Sequence, residues 1–505
     1  MTNHLFDAIR SAADLAAPFL QAGNGPIWTY EDMLLESGRL AATLGRLGVQ
    51  PGDRVAAQVE KSPQALMVYV ACVRAGAVYL PLNTAYTLTE IEYFVGDAEP
   101  RLILCSPKNR EGIAAIAATH GALVETLDDD GGGSLIERAR SESGDYHDVA
   151  RGPDDLAAIL YTSGTTGRSK GAMLSHENLL SNALTLRETW RFTSSDRLIH
   201  ALPIFHTHGL FVATNVVLMS GASMHFLPKF DPDEVLRLMQ DATVMMGVPT
   251  FYVRLLQHPG LTREATAKMR LFISGSAPLL AETHRSFSER TGHAILERYG
   301  MTETNMNTSN PYDGDRIAGT VGFPLAGVDL RITDPVSGEQ VADGATGMIE
   351  VRGPNVFQGY WRMPEKTKAE FRADGFFITG DLGTIDVRGY VHIVGRGKDL
   401  VISGGYNIYP KEVEAEIDRL DGILESAVIG VPHPDFGEGV TAVVVAKSGA
   451  SLTEQDVLDS LRDRVARYKQ PKRVLFVDEL PRNTMGKVQK NVLRDAYANL
   501  YASVA

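Results

Sequence analysis

Residues 161–172 read YTSGTTGRSKGA and follow an apolar run at 156–160. Gly164, Gly167 and Gly171 reach backbone angles that a Cβ disfavours, so successive N–H groups can turn toward one anion. Thr162, Ser163, Thr165 and Thr166 add hydroxyl donors, and Lys170 adds a fixed positive charge. The pattern predicts a phosphate cradle. It is not a Walker loop, because only two residues separate Gly164 from Gly167 and Lys170 precedes a glycine. Taken alone, the segment also fits a surface turn rich in glycine and hydroxyl side chains.

Four further segments follow in the order ERYGMTET (297–304), ITGDL (378–382), GRGKDLVISGGYNIYPKEVE (395–414) and PRNTMGKV (481–488). With the glycine-rich loop they resemble the acyl-adenylate-forming superfamily, which includes acyl-CoA synthetases, firefly-type luciferases and the adenylation domains of peptide synthetases. The resemblance runs from about residue 26 to 495. It implies ATP, Mg²⁺ and CoA as cofactor and co-substrates, and a reaction in two halves. A carboxylate attacks the α-phosphate to give acyl-AMP and pyrophosphate, and a thiol then takes the acyl group.

The resemblance also assigns roles. Tyr299 and the loop Gly275, Ser276 and Ala277 would lie against adenine. Thr302 would bond a phosphate oxygen and Glu303 would hold Mg²⁺ as a hard oxygen ligand. Asp381 would accept the ribose hydroxyls, with Arg396 also reaching the nucleotide, and Gly404 and Gly405 would flank the pantetheine tunnel. Lys487 matches the mobile catalytic lysine, which neutralises charge as it builds in the transition state, and Lys398 matches the hinge. Lys487 is also a candidate for regulatory acylation, which would delete its charge.

For the acid, the segments LPIFHTHGL, ETHRSF and GMTETNMN offer His206, His208, Arg285, Met306 and Asn307. An arginine and a histidine would hold a second carboxylate by charge-assisted hydrogen bonds, where a fatty-acid pocket would be apolar. This combination resembles malonyl-CoA synthetases, with malonate or methylmalonate as substrate. Arg285 equally fits a helix surface, and His206 a packed core histidine. Arg168 fits phosphate, substrate or neither. The alternatives are a CoA ligase for an uncharged short-chain, medium-chain or aryl acid, a carrier-loading adenylation module, or a non-catalytic binding paralogue. No carrier domain follows, which favours a diffusible thiol.

The elements that must position these residues are of two kinds. From about residue 27 to 330, short β-rich runs (54–59, 78–80, 102–105, 198–202, 243–248 and 271–274) alternate with helical patterns, as in βα units around parallel sheets. Past residue 322, strands separated by Asp/Gly turns predict an antiparallel meander. A helix at 410–420, strands at 424–431 and 439–446, a helix at 453–468 and a strand at 473–477 then predict a small α+β domain. The expected fold is therefore α/β. A large domain at 1–397 includes a β-rich part at about 323–397, and a small mobile domain covers 398–505.

Bulk properties agree with this reading. A chain of 505 residues exceeds what one core usually serves. Forty-nine basic against 62 acidic residues leave a net charge of −13, which argues against nucleic acid or an anionic membrane as partner. Cys72 and Cys105 are too few for a disulfide framework. Asp7, Arg10 and Asp14 interrupt any secretory core, and residues 209–227 are broken by polar residues, so a cytoplasmic enzyme is expected.

Overall fold

The computed structural model describes residues 2–12, 14–162, 169–403, 406–462, 464–483 and 486–502, apart from the side chain of Asn407. Two compact units form, Met1–Asp329 with Val351–Phe377, and Leu330–Glu350 with Ile378–Ala505.

The first unit carries two sheets. One runs Leu123–Thr126, Leu102–Cys105, Arg54–Gln58, Val78–Pro81, Leu156–Thr162 and Lys170–Ser175 from edge to edge. All neighbours are parallel except the last pair. Parallel neighbours need crossovers, and the sequence supplies well-delimited helices for them. Ser62 caps Pro63–Ala75, which Gly76 closes in the left-handed conformation. Thr87 and Glu90 form a capping box on Leu88–Ala98.

The second sheet has nine strands. Its middle runs Leu296–Met301, Leu271–Ser274, Val244–Gly247, Arg197–His200, Ser223–Phe226 and Pro18–Gln21, all parallel. The strands Leu271–Ser274 and Val244–Gly247 are buried throughout and mostly apolar, as expected of central parallel strands. Leu296–Met301 then reverses through residues 302–304 into the antiparallel strand Asn305–Ser309. Residues 209–227 lie in a buried π-helical turn, His208–Thr214, the helix Asn215–Ser220 and the strand Ser223–Phe226. Among the described residues no helix is long and apolar enough to cross a membrane.

The second unit begins with the expected meander, whose strands Asp329–Thr333, Gly347–Arg352, Phe377–Ile385 and Val391–Arg396 lie in chain order. A second sheet runs Tyr406–Ile408, Val401–Ser403, Gly437–Ala446 and Ile423–His433, with Arg473–Phe476 beside Gly437–Ala446. Pro410–Ile417 and Glu454–Leu461 are its helices. The helix expected to reach residue 468 ends at Leu461, because the Gln470 amide donates to the carbonyls of Arg462 (3.0 Å) and Val465 (3.1 Å). Those bonds satisfy acceptors that a longer helix would have used. The chain passes from one unit to the other at 329/330, 350/351 and 377/378, and Lys398 sits inside the second, in the single turn Gly397–Asp399.

Candidate active site

The glycine-rich segment joins the antiparallel strands Leu156–Thr162 and Lys170–Ser175, with Thr162 opposite Lys170. Ser163, Gly164, Thr165, Thr166, Gly167 and Arg168 lie outside the described residues, as do Gly404 and Gly405. Gly171 has a local reason to be glycine. Its carbonyl accepts from Trp361 N–H at 2.7 Å, and a Cβ would fall 2.8 Å from Ile159 Cγ2. This close approach lays residues 358–361 along the strand and sets Tyr360 beside Lys170.

Lys170 is 8% exposed, with Nζ 3.9 Å from the centre of the Tyr360 ring and 3.3 Å from Glu370 Oε1. The Tyr360 hydroxyl lies 2.7 Å from Glu370 Oε2 and 3.0 Å from Glu303 Oε1. Thr162 Oγ1 donates to the same Glu303 oxygen at 3.4 Å. Glu303 sits in the hairpin turn at residues 302–304 and is 5% exposed, and burial pushes its carboxyl above the usual carboxylate range. Burial disfavours the ionised carboxylate, and a cation beside it would restore that form. One such ligand, beside the hydroxyls of Thr162 and Tyr360, suits Mg²⁺, which keeps waters and phosphates in its shell. Among the described residues no three His, Cys, Asp or Glu side chains gather into a metal cage.

The loop after Leu271–Ser274 carries Gly275, Ser276 and Ala277, with Ser276 at φ +71°. Ser276 Oγ lies 3.1 Å from His208 Nδ1. His206 and His208 each leave Nε2 buried without a hydrogen-bond partner among the described residues, and burial holds both imidazoles neutral, His206 at about 4. The charged histidine expected for a carboxylate is thus a neutral one at pH 7, since desolvation disfavours its cation. Tyr299 is nearly buried in Leu296–Met301. Met306 is buried in Asn305–Ser309, where Asn182 clamps its backbone, accepting from N–H at 3.2 Å and donating to C=O at 2.9 Å.

Arg285 lies apart from this cluster. Its side chain is 60% exposed on the helix Ala281–Thr291 and pairs with Glu282 at 2.7 Å. Among the described residues no hydrogen bond or ion pair joins it to His206.

Sequence reasoning missed the neighbouring Arg298. It is 4% exposed, its Nε and Nη2 have no hydrogen-bond partner, and no acidic side chain among the described residues pairs with it. Burial lowers its guanidinium to about 9, with the Tyr252 hydroxyl opposing. It still carries its charge at pH 7. The available signal was an arginine inside a β-rich run, LERYGM, flanked by strands with apolar faces. Tyr360 and Glu370 carry no such signal.

In the second unit Asp381 and Arg396 are strand neighbours, with Nε 3.3 Å from Oδ1. Lys487 stands in a loop held by hydrogen bonds between its backbone and Asn483, both 2.9 Å. Burial, then the nearby Arg396, pulls its ammonium down to about 8. Burial likewise lowers Lys398. Asp381, Arg396, Lys398 and Lys487 therefore share one electrostatic neighbourhood.

Comparison with known proteins matches residues 8–361 to the AMP-binding enzymes and 412–487 to the AMP-binding enzyme C-terminal domain. The chain is 38% identical to a feruloyl-CoA synthase of an Amycolatopsis species, covering 93% of this chain and 94% of that protein. It is 37% identical to a malonate–CoA ligase of Arabidopsis thaliana, covering 84% and 75%. ATP-bound MatB from Rhodopseudomonas palustris superposes with a TM-score of 0.98 at 64% identity, over 99% of this chain and 100% of that one.

Proposed function

We propose, from the premise that this chain belongs to the AMP-binding enzyme family, that it converts malonate, ATP and CoA to malonyl-CoA, AMP and pyrophosphate. It is an AMP-forming acid–thiol ligase, and the proposal concerns its acid. The observation that supports a dicarboxylate is Arg298. An unpaired buried guanidinium costs several kcal/mol, and a substrate carboxylate entering beside it would provide the missing anion and two charge-assisted hydrogen bonds. The similarity to the Arabidopsis malonate–CoA ligase supports the same reading.

In the first half-reaction one malonate oxygen bonds to the α-phosphorus and pyrophosphate leaves. Thr162, Thr302 and Lys170 bind phosphate oxygens, and Glu303 would hold Mg²⁺, which when bound would supply charge neutralisation. Arg298 holds the distal carboxylate, with the neutral His206 offering its free Nε2 and Met306 bounding the pocket. Tyr299 and residues 275–277 bind adenine, and Asp381 and Arg396 the ribose side. Lys487 neutralises the charge that grows in the transition state. In the second half the CoA sulfur bonds to the acyl carbon and AMP leaves, after a rearrangement about Lys398 that withdraws Lys487.

An uncharged aryl acid is the second reading, supported by the feruloyl-CoA synthase relative. CoA-dependent AMP formation measured across malonate, methylmalonate, propionate, butyrate and ferulate tests the two. Activity confined to the dicarboxylates supports the proposal, and preference for ferulate or butyrate rejects it. Malonate and methylmalonate differ by one methyl group, worth only ~1–3 kcal/mol, so both belong in the panel.

A further inference from the structure

Lys170, the cation of the phosphate cradle, already has an acidic partner. Its Nζ lies 3.3 Å from Glu370 Oε1, and both side chains are largely shielded from solvent. Glu370 in turn has other supports. Lys366 Nζ lies 2.6 Å from the same Oε1, and Tyr360 places its hydroxyl 2.7 Å from Oε2. The Tyr360 ring lies against Lys170, and its hydroxyl reaches Glu303 at 3.0 Å. One tyrosine thus connects the lysine of the cradle, its counter-ion and the carboxylate that suits a metal.

A triphosphate binding to Lys170 has to compete with Glu370. Two anions cannot share one ammonium in a shielded site without repelling each other. Glu370 can release Lys170 without being stranded, because Lys366 and Tyr360 still bind it. We propose that Glu370 is a positioning residue that acts through Lys170: it holds the lysine in place before nucleotide arrives and yields it to the β,γ-phosphates. It thereby sets the affinity for ATP relative to AMP. The proposal rests on reading residues 162–170 as the phosphate cradle.

Calorimetric titration of the full-length enzyme with MgATP and, separately, with AMP tests it. Glu370→Gln keeps an acceptor for Tyr360 but removes the competing charge. It should tighten MgATP binding about threefold to tenfold, the range of a partly shielded ion pair, and leave AMP binding unchanged. Lys366→Gln should act in the opposite direction, weakening MgATP, because Glu370 then binds Lys170 alone. In a Lys170→Met background the effect of Glu370→Gln should vanish. Parallel shifts for MgATP and AMP would mark Glu370 as a structural residue and overturn the proposal, as would an effect that persists without Lys170. Wild-type protein that binds no MgATP would instead overturn the adenylation reading itself.

Discussion

Gly275 lies so close to Arg298 that a Cβ on the glycine would fall 2.6 Å from both Nε and Nη1 of the guanidinium. The loop expected to meet adenine and the arginine proposed to meet the acid are thus in van der Waals register. A side chain at residue 275 would force the guanidinium to move.

Gly275→Ala should therefore displace the guanidinium and damage acid binding through a residue that does not itself touch malonate. The expected result is a rise in KM for malonate of about tenfold or more, the scale of one charge-assisted hydrogen bond. A smaller change is expected in KM for ATP. Steady-state kinetics with each substrate varied in turn measures the split. Equal losses for both would place the damage in the nucleotide loop alone.

Arg298→Met should stabilise the substrate-free protein while it harms function. Removing an unpaired buried charge in favour of an apolar side chain of similar length relieves its desolvation cost, and a gain of about 1 kcal/mol or more is expected. Thermal unfolding without ligands measures it. A fall in Tm would mean that Arg298 has a structural partner and is not waiting for an anion.

Arg285→Leu should change the ratio of malonate to butyrate activity by less than about threefold, because an exposed arginine paired to an exposed glutamate contributes only ~0–1 kcal/mol. A larger loss specific to malonate would show that Arg285 exchanges Glu282 for substrate, as its sequence context suggests. Competition assays with both acids present give the ratio directly.

The acid-dependent exchange of pyrophosphate into ATP should fall as pH rises through about 8. Lys487 titrates there instead of at 10.5, and only its charged form neutralises the transition state. Between those values the unfolded chain binds the extra proton, so this group's contribution to stability rises with pH while its contribution to rate falls. The decline is therefore not denaturation. Lys487→Arg should lose the descending limb, and Lys487→Ala should cripple adenylation while sparing CoA attack on supplied acyl-AMP.

Much of this was legible in sequence where local chemistry dictates the backbone. The strand runs at 102–105 and 271–274 stand as expected because buried parallel strands are largely apolar, and the segment read as a cradle falls between the strands Leu156–Thr162 and Lys170–Ser175. The helix at 453–468 was overextended, since nothing in its own periodicity shows that Gln470 will take its terminal carbonyls. Arg285 drew attention as an arginine beside a histidine, yet its helix turns it outward. Arg298 was overlooked because the significance of a charge in a strand depends on what packs around it. Tyr360 and Glu370 reach Lys170 only through tertiary structure, about 200 residues away in the chain.

The dicarboxylate reading is tested most directly by kcat/KM for malonate and for butyrate in the wild type and in Arg298→Met. Loss of the distal contact should cost ~2–4 kcal/mol, or about 30- to 1000-fold, for malonate alone. The wild type should prefer malonate, and Arg298→Met should lose that preference while its butyrate activity holds or rises. A wild type that prefers butyrate, or a variant whose malonate-to-butyrate ratio is unchanged, would contradict the account and leave a ligase for uncharged acids in its place.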